Sequence, residues 1–343
     1  MANKRLLGAF VVAVFLLVWG PNGSGQTPVA LPPVTKGTVF VVGDIVQQGF
    51  EPRAQVVGEL MKKSLDETPN SIAFLNGDNS NDSGCQEDFD RVDKTIWGEL
   101  NSRYRGRVFA VVGNHELWCN KTNPFHFFYW YNSAFETWGN DWFDFFRTGW
   151  RLFRVNSESM ERSTDTLQRL RRKETLDWFS RELQLVPSNV CTAVFLHRPP
   201  FSSGNFASPA WVMPLYHLMY RVGNDYWASG HDHIRDQLPP LDPDGNVNWN
   251  HGIYGDIVGT GGAIPHSLVD PVTRKTREPR WKAYGEEVSV NVLGILRLDV
   301  EPGRLYRQFV PVAQVPGVTY PRTTVTCHGN PPGYIEPLDN PNP

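Results

Sequence analysis

Seven polar residues stand where short apolar runs of the chain end: Asp44, Asp78, Asn114, His115, His197, His231 and His233. Carboxylates, an amide oxygen and imidazoles together make a mixed oxygen and nitrogen donor set. Such a set suits Zn, Mn, Fe or Co better than Mg or Ca. Two such ions side by side can clamp a phosphoryl group and lower the pKa of water, so no serine or cysteine nucleophile is required. The pieces differ in weight. Gly43-Asp44 and Gly77-Asp78 are weak alone, because an Asp there commonly accepts backbone hydrogen bonds in a turn. Gly113-Asn114-His115-Glu116 is more specific: adjacent side chains diverge, so Asn114 can ligate while His115 faces a substrate. Gly230-His231-Asp232-His233 is stronger still. In an extended segment, residues i and i+2 share a face. His231 and His233 would then point together and Asp232 away.

Residues 76–85, NGDNSNDSGC, are crowded with oxygen donors and invite comparison with a calcium loop. Asp78, Ser80 and Asp82 occupy alternate positions, as an EF-hand requires. Gly84 falls one place late, however, and Phe89 stands where the closing Glu belongs. Another kind of calcium loop or an Asx-turn loop stays open at this point.

These residues need a scaffold that brings them together. The runs TVFVVGD, SIAFLNGD, VFAVVGNH, TAVFLH, DYWASGHDH and DIVGTGG are short and rich in Val, Phe and Ile. Such runs suit buried strands. Helical spacing appears between them, at 54–65 (Val56, Val57, Leu60, Met61, Leu65) and 175–186 (Leu176, Phe179, Leu183, Val186). Strands alternating with helices predict α/β layers. Ligands of α/β sheets bind beyond the carboxyl ends of the strands, where the polar residues fall.

The whole chain sets further bounds. Its 343 residues, 40% of them hydrophobic, suffice for a sizeable core. A formal charge of -3 suggests neither a nucleic-acid partner nor a membrane-surface one. The basic cluster Arg169, Arg171, Arg172 and Lys173 reads as a solvated helix face. At the start, Lys4 and Arg5 precede an apolar run, 6–19, ended by Pro21, Gly23 and Gly25. That pattern predicts a signal peptide over 1–25, cleaved before Gln26, and hence a secreted or periplasmic protein without stable membrane association. An uncleaved anchor is the alternative. A Pro-rich lead, 26–36, a main domain, 37–312, and a Pro-rich tail, 313–343, follow. In an oxidising compartment Cys85, Cys119, Cys191 and Cys327 can form two disulfides, with three possible connectivities. The pairing Cys85–Cys119 and Cys191–Cys327 is the one expected.

The order GD, GD, GNHE, FLH, GHDH resembles the calcineurin-like metallophosphoesterases, and within them the secreted bacterial branch of the purple acid phosphatases. WGEL (97–100), LDWFSREL (176–183), HRPPFSSG (197–204) and VGTGGA (258–263) extend the likeness over roughly 37–312. The resemblance implies a single-domain α-β-β-α sandwich and two metal ions, divalent Fe, Zn or Mn. Asp44, Asp78 and His233 match ligands of the first metal, with Asp78 bridging. Asn114, His197 and His231 match the remaining ligands of the second. His115 matches the catalytic residue beside the leaving group. The implied activity is hydrolysis of small phosphate monoesters by attack of metal-bound hydroxide. A phosphodiesterase or nucleotide hydrolase on the same site, or a binding or adhesion module with an impaired first metal, are the rivals.

The chain departs from that pattern at the first metal. The purple enzymes carry a Tyr three residues after the second Asp, where this chain has Asn81. Other calcineurin-like enzymes carry a His two residues after the first Asp, where this chain has Val46. Two divalent ions bring about +4 and the two Asp about -2, leaving roughly +2 without a tyrosinate. A ferric-tyrosinate centre is therefore not expected. Asn81 is a candidate additional ligand, Gln47 a remote one, and Arg198 a candidate phosphate contact. The aromatic stretch 125–150 reads as an insert with its own packing or as a rim over the site. His126, His217, His251 and His266 carry no motif, and His217 is expected to be structural.

Overall fold

The computed structural model describes residues 35–119, 139–145, 147–161, 166–204, 206, 210–268, 279–314 and 316–328. All of them belong to the compact unit Pro32–Pro343. The predicted signal segment, His126, Trp130 and Trp138 lie outside the described residues. Among the described residues no helix is long and apolar enough to cross a membrane.

Two sheets form the centre. One has six strands, ordered β13-β12-β11-β1-β2-β3. These are Thr323–Thr326, Arg304–Pro311, Gly294–Glu301, Gly37–Val42, Ser71–Leu75 and Val108–Ala110. The other has seven, ordered β10-β8-β9-β7-β6-β5-β4. These are Glu287–Val290, Ile234–Leu241, Ile253–Val258, Tyr226–Ser229, Cys191–Phe195, Trp150–Arg154 and Asp141–Asp144. Each sheet has a parallel part, β1-β2-β3 at one side of the first and β5-β6-β7-β9 in the middle of the second. Their carboxyl ends carry the motif residues. The remaining pairings, β13-β12-β11-β1 in the first sheet and β10-β8-β9 and β5-β4 in the second, are antiparallel, so β3 is a parallel edge strand.

The sheets pack on each other through aromatic rings and buried arginines. Phe74 of β2 stacks on Phe195 of β6 at 3.9 Å. Arg154 of β5 donates to Ala110 O (2.7 Å), and Arg307 of β12 donates to Gly255 O (2.9 Å) and pairs with Asp256 (3.1 Å). Helices cover both outer faces. Helix α1 (Glu51–Glu67) starts with a proline in its first turn and buries Ala54, Val57, Met61 and Leu65. With α2 (Gln86–Asp93) and α3 (Ile96–Arg103) it packs on the six-stranded sheet. Helices α4 (Thr166–Gln184) and α5 (Met213–Arg221) pack on the seven-stranded one through Phe179, Leu183, Leu215 and Met219. This is the α-β-β-α sandwich expected.

Several expectations need adjusting. The main domain does not end at 312: Thr323–Thr326 of the predicted tail pairs with β12 as an edge strand. Both disulfides have the expected pairing, Cys85–Cys119 and Cys191–Cys327. Trp142 and Trp150 are packing residues, the first bonded to Glu182 (2.9 Å) and the second to Glu301 O (3.1 Å). His217 is exposed on α5 rather than buried in a structural contact.

Candidate metal centre

The loops after β1 and β2 zip together beyond the strand ends. Asp44 N donates to Gly77 O (3.0 Å), Ile45 N to Asp78 O (2.9 Å) and Asn81 N to Val46 O (2.7 Å). Three of the candidate ligands, Asp44, Asp78 and His231, have left-handed backbones, with φ of 60°, 49° and 71°. Each such residue costs on the order of 1–3 kcal/mol, and this strain clusters at functional sites. Neighbouring glycines permit the crowding. A Cβ on Gly113 would lie 2.2 Å from Asp78 Oδ1, and one on Gly230 would lie 2.6 Å from Asp44 Oδ2.

All six expected ligands meet there. His233 Nε2 lies 3.2 Å from Asp44 Oδ1. His197 Nε2 lies 3.2 Å from Asp78 Oδ2 and 3.1 Å from Asn114 Oδ1. Donor atoms of Asp78, His197 and His231 fall within 4.8 Å of one another. His115 stands at the edge, its Nε2 3.8 Å from Asp78 Oδ2. Asn81 is also present, with Nδ2 3.2 Å from His233 Nε2. The route to this convergence differs from the expected one. Residues 231–233 form a bend, not an extended segment, and His231 takes its left-handed turn because its N–H must reach Asp44 Oδ2 (2.8 Å). Gln47 accepts from Ile264 N (2.9 Å) and is committed there.

Hydrogen bonds orient the imidazoles. His197 Nδ1 contacts Asn76 O (2.8 Å) and His233 Nδ1 contacts Ile264 O (2.5 Å). A carbonyl only accepts, so each Nδ1 carries the proton and each Nε2 faces the carboxylates. His115 Nδ1 likewise donates to Asp82 O. Burial pushes the Asp78 carboxyl up, but His197, His115 and His231 outweigh it and hold it well below the usual range. Burial pulls His197 down, yet Asp78, Asp44 and Glu158 raise it to about 10. His233 is raised against burial by Asp44. His231 is driven far down by burial and by the charges of His197 and Arg198. His197 thus carries a proton where the surrounding acids call for positive charge.

The residues fit divalent cations. The donor set is oxygen and imidazole, the Nε2 atoms of His197 and His233 are turned toward the carboxylates, and Asp44 Oδ1 is buried without a hydrogen bond, 3.2 Å from His233 Nε2. An orphaned buried carboxylate oxygen is costly unless a cation answers it.

Other side chains support the centre without having announced it in sequence. Glu116 accepts from Asp78 N (3.0 Å), Asn79 N (2.7 Å), Ser80 N (3.2 Å) and Gly113 N (2.6 Å). It clamps the Asp78 loop to the Asn114 loop. Burial and the Asp78 charge push it up to about 7, opposed by the N–H donors. His266 stacks flat on His233 at 3.8 Å and accepts its backbone N–H (3.0 Å). Glu158 pairs with Arg198 at 3.1 Å, and Arg198 Nη1 donates to His231 Nε2 (2.7 Å). Glu116 sits inside a motif and could have been found by it; His266 and Glu158 stand in no pattern.

A family profile of calcineurin-like phosphoesterases matches residues 37–235, the span that carries all six candidate ligands. The chain belongs to the calcineurin-like phosphoesterases. It is a metal-dependent phosphoric ester hydrolase by family. Among curated proteins no relative matches it. Solved structures share its fold at low identity. GAP50, described as the anchor in the inner membrane complex of Plasmodium, is 11% identical, with TM-score 0.60 over 86% of this chain and 90% of that one. Purple acid phosphatase PPD1 from yellow lupin (Lupinus luteus) seeds is 16% identical, with TM-score 0.59 over 85% of this chain and 54% of that one. A dimetal phosphatase from Danio rerio is 12% identical, with TM-score 0.55 over 85% and 99%. The chain spans about half the length of the lupin enzyme.

Proposed function

We propose that the chain is an exported phosphatase that hydrolyses small phosphate monoesters with two divalent cations, drawn from Fe, Zn and Mn. Asp44, Asp78 and His233 would hold one ion, and Asp78, Asn114, His197 and His231 the other. The observation that carries this reading is the meeting of these six side chains, from five separate loops, with His115 at their edge. When bound, the ions supply Lewis acidity: they screen phosphoryl charge and acidify water.

The chain's own residues do the rest. His115 is pinned through Nδ1 to Asp82 O, so its Nε2 faces the site mouth. A proton at Nε2 is placed to reach the leaving oxygen of an ester bound over Asp78. The Trp118 ring lies tilted against the His115 ring, with centroids 3.9 Å apart, and limits its rotation. The Arg198 guanidinium, beside His231, brings a positive charge to the same mouth, where a monoester dianion needs one. Support for export is indirect: the signal-like start and two disulfides, which persist in oxidising compartments.

The test compares turnover of p-nitrophenyl phosphate with that of its bis ester, for wild type and His115→Ala. The reading expects the monoester to be preferred and the variant to lose about 100-fold or more in kcat. Preference for the diester would replace it by a phosphodiesterase. A second reading, a binding module, is favoured by the absent Tyr at position 81 and by a fold neighbour that is an anchor. Equal, negligible hydrolysis by both proteins would overturn the phosphatase reading.

A further inference from the structure

The first metal position lacks both of its family's usual extra ligands. We infer that Asn81 fills this gap, ligating the cation of Asp44, Asp78 and His233 through its amide oxygen. The inference rests on the two-metal reading proposed above.

The backbone leaves Asn81 little freedom. Its N–H is bonded to Val46 O (2.7 Å), and residues 46 and 80 form a β-bridge beside Asp44. The side chain is 1% exposed and ends 3.2 Å from His233 Nε2. That nitrogen is the lone-pair side of the ring, because Nδ1 is bound to Ile264 O. The amide group thus touches the ring nitrogen that a cation would take. Half a turn of the amide exchanges Nδ2 for Oδ1 in almost the same volume.

The spacing suits a shared ion. Two ligands on one ion at about 2.0–2.2 Å and at right angles lie about 3 Å apart. Asn81 to His233 is 3.2 Å, and His233 to Asp44 Oδ1 is 3.2 Å. Asp44 Oδ1 is the atom left without a hydrogen bond. The rival residues are spent: Val46 is buried and apolar, and Gln47 is held by Ile264 N. A neutral amide in place of a phenolate leaves one more positive charge at the centre, which favours a divalent ion there over a ferric one.

A mere brace for His233 makes a different forecast. As a ligand, Asn81→Asp adds a charge to the ion and tightens it. As a brace, Asn81→Asp gives the ion no added ligand charge and leaves it no tighter. The experiment measures metal content per chain and affinity by chelator competition, with Mn and with Zn, on the full purified chain. Wild type is expected to hold two ions. Asn81→Ala is expected to weaken one of them about 10-fold or more, and Asn81→Asp to tighten the same one about 10-fold. Should Asn81→Ala not fold, the isosteric Asn81→Asp carries the test. Two ions held as tightly in both variants as in wild type would overturn this inference alone. A wild type that holds no metal would overturn it together with the proposed function. Iron-loaded wild type is expected to be colourless, and an intense visible charge-transfer band would overturn the neutral-ligand assignment.

Discussion

Glu116 offers the sharpest test of how the site is held. Its Oε1 accepts two backbone N–H groups, from Asn79 and Ser80, and its Oε2 accepts two more, from Asp78 and Gly113. Glu116→Gln keeps size and shape but turns one oxygen into an NH2. Two of the four donors then face another donor. Each buried donor left unpaired costs about 1–3 kcal/mol, so the change should cost roughly 2–6 kcal/mol. That is a large share of the ~5–15 kcal/mol that typically stabilises a domain. Tm should fall by roughly 5–10 °C. Because the freed groups belong to the loops of Asp78 and Asn114, metal affinity should also drop about 10–100-fold. Thermal unfolding by circular dichroism and chelator titration measure the two effects. At a pH above about 7, where Glu116 titrates, the carboxylate is the form compared. A Tm within about 1 °C of wild type and an unchanged affinity would show that the clamp holds nothing.

Three further outcomes follow from the same geometry. In the metal-free protein His197 is raised from 6.5 to about 10, so its stabilising effect is complete below 6.5 and is lost as pH rises through 10. Metal must displace that proton, so affinity should climb about tenfold per pH unit below 10, and an affinity flat with pH would contradict it. The disulfides should separate by role. Opening Cys191–Cys327, which spans 136 residues, should cost about 5 kcal/mol in unfolding assays, against about 4 for Cys85–Cys119, which spans 34. Only the latter, tied beside the His115 turn, should also lower kcat; equal kcat loss from both would refute the division. Arg198→Ala strands the buried Glu158 and should cost about 3–5 kcal/mol, with a KM for monoesters raised roughly 10-fold. An unchanged KM would remove Arg198 from substrate binding.

What the sequence determined by itself is the set of candidate ligands and the edge on which they sit. Short apolar runs made β1, β2, β3, β6, β7 and β9 legible, and the polar residues after them marked the carboxyl edge; β5, parallel and buried but carrying Arg151 and Arg154, was not legible that way. The antiparallel strands β8, β11 and β12 were not singled out. They alternate or contain prolines and polar residues, as in RDQLPP and RLYRQF, because a partner sheet or solvent meets one face. Tertiary structure alone decided how the ligands are aimed. His231 and His233 do not share a strand face; a left-handed turn forced by the bond to Asp44 separates them. The stack of His266 on His233 and the pairing of Glu158 with Arg198 join residues 33 and 40 positions apart. No local periodicity encodes such contacts, because only the packing of one sheet's loops against the other's brings them within reach. Position 81 shows both sides of this division. The sequence says that a phenolate is missing there, and the fold says that an amide stands 3.2 Å from the imidazole in its stead.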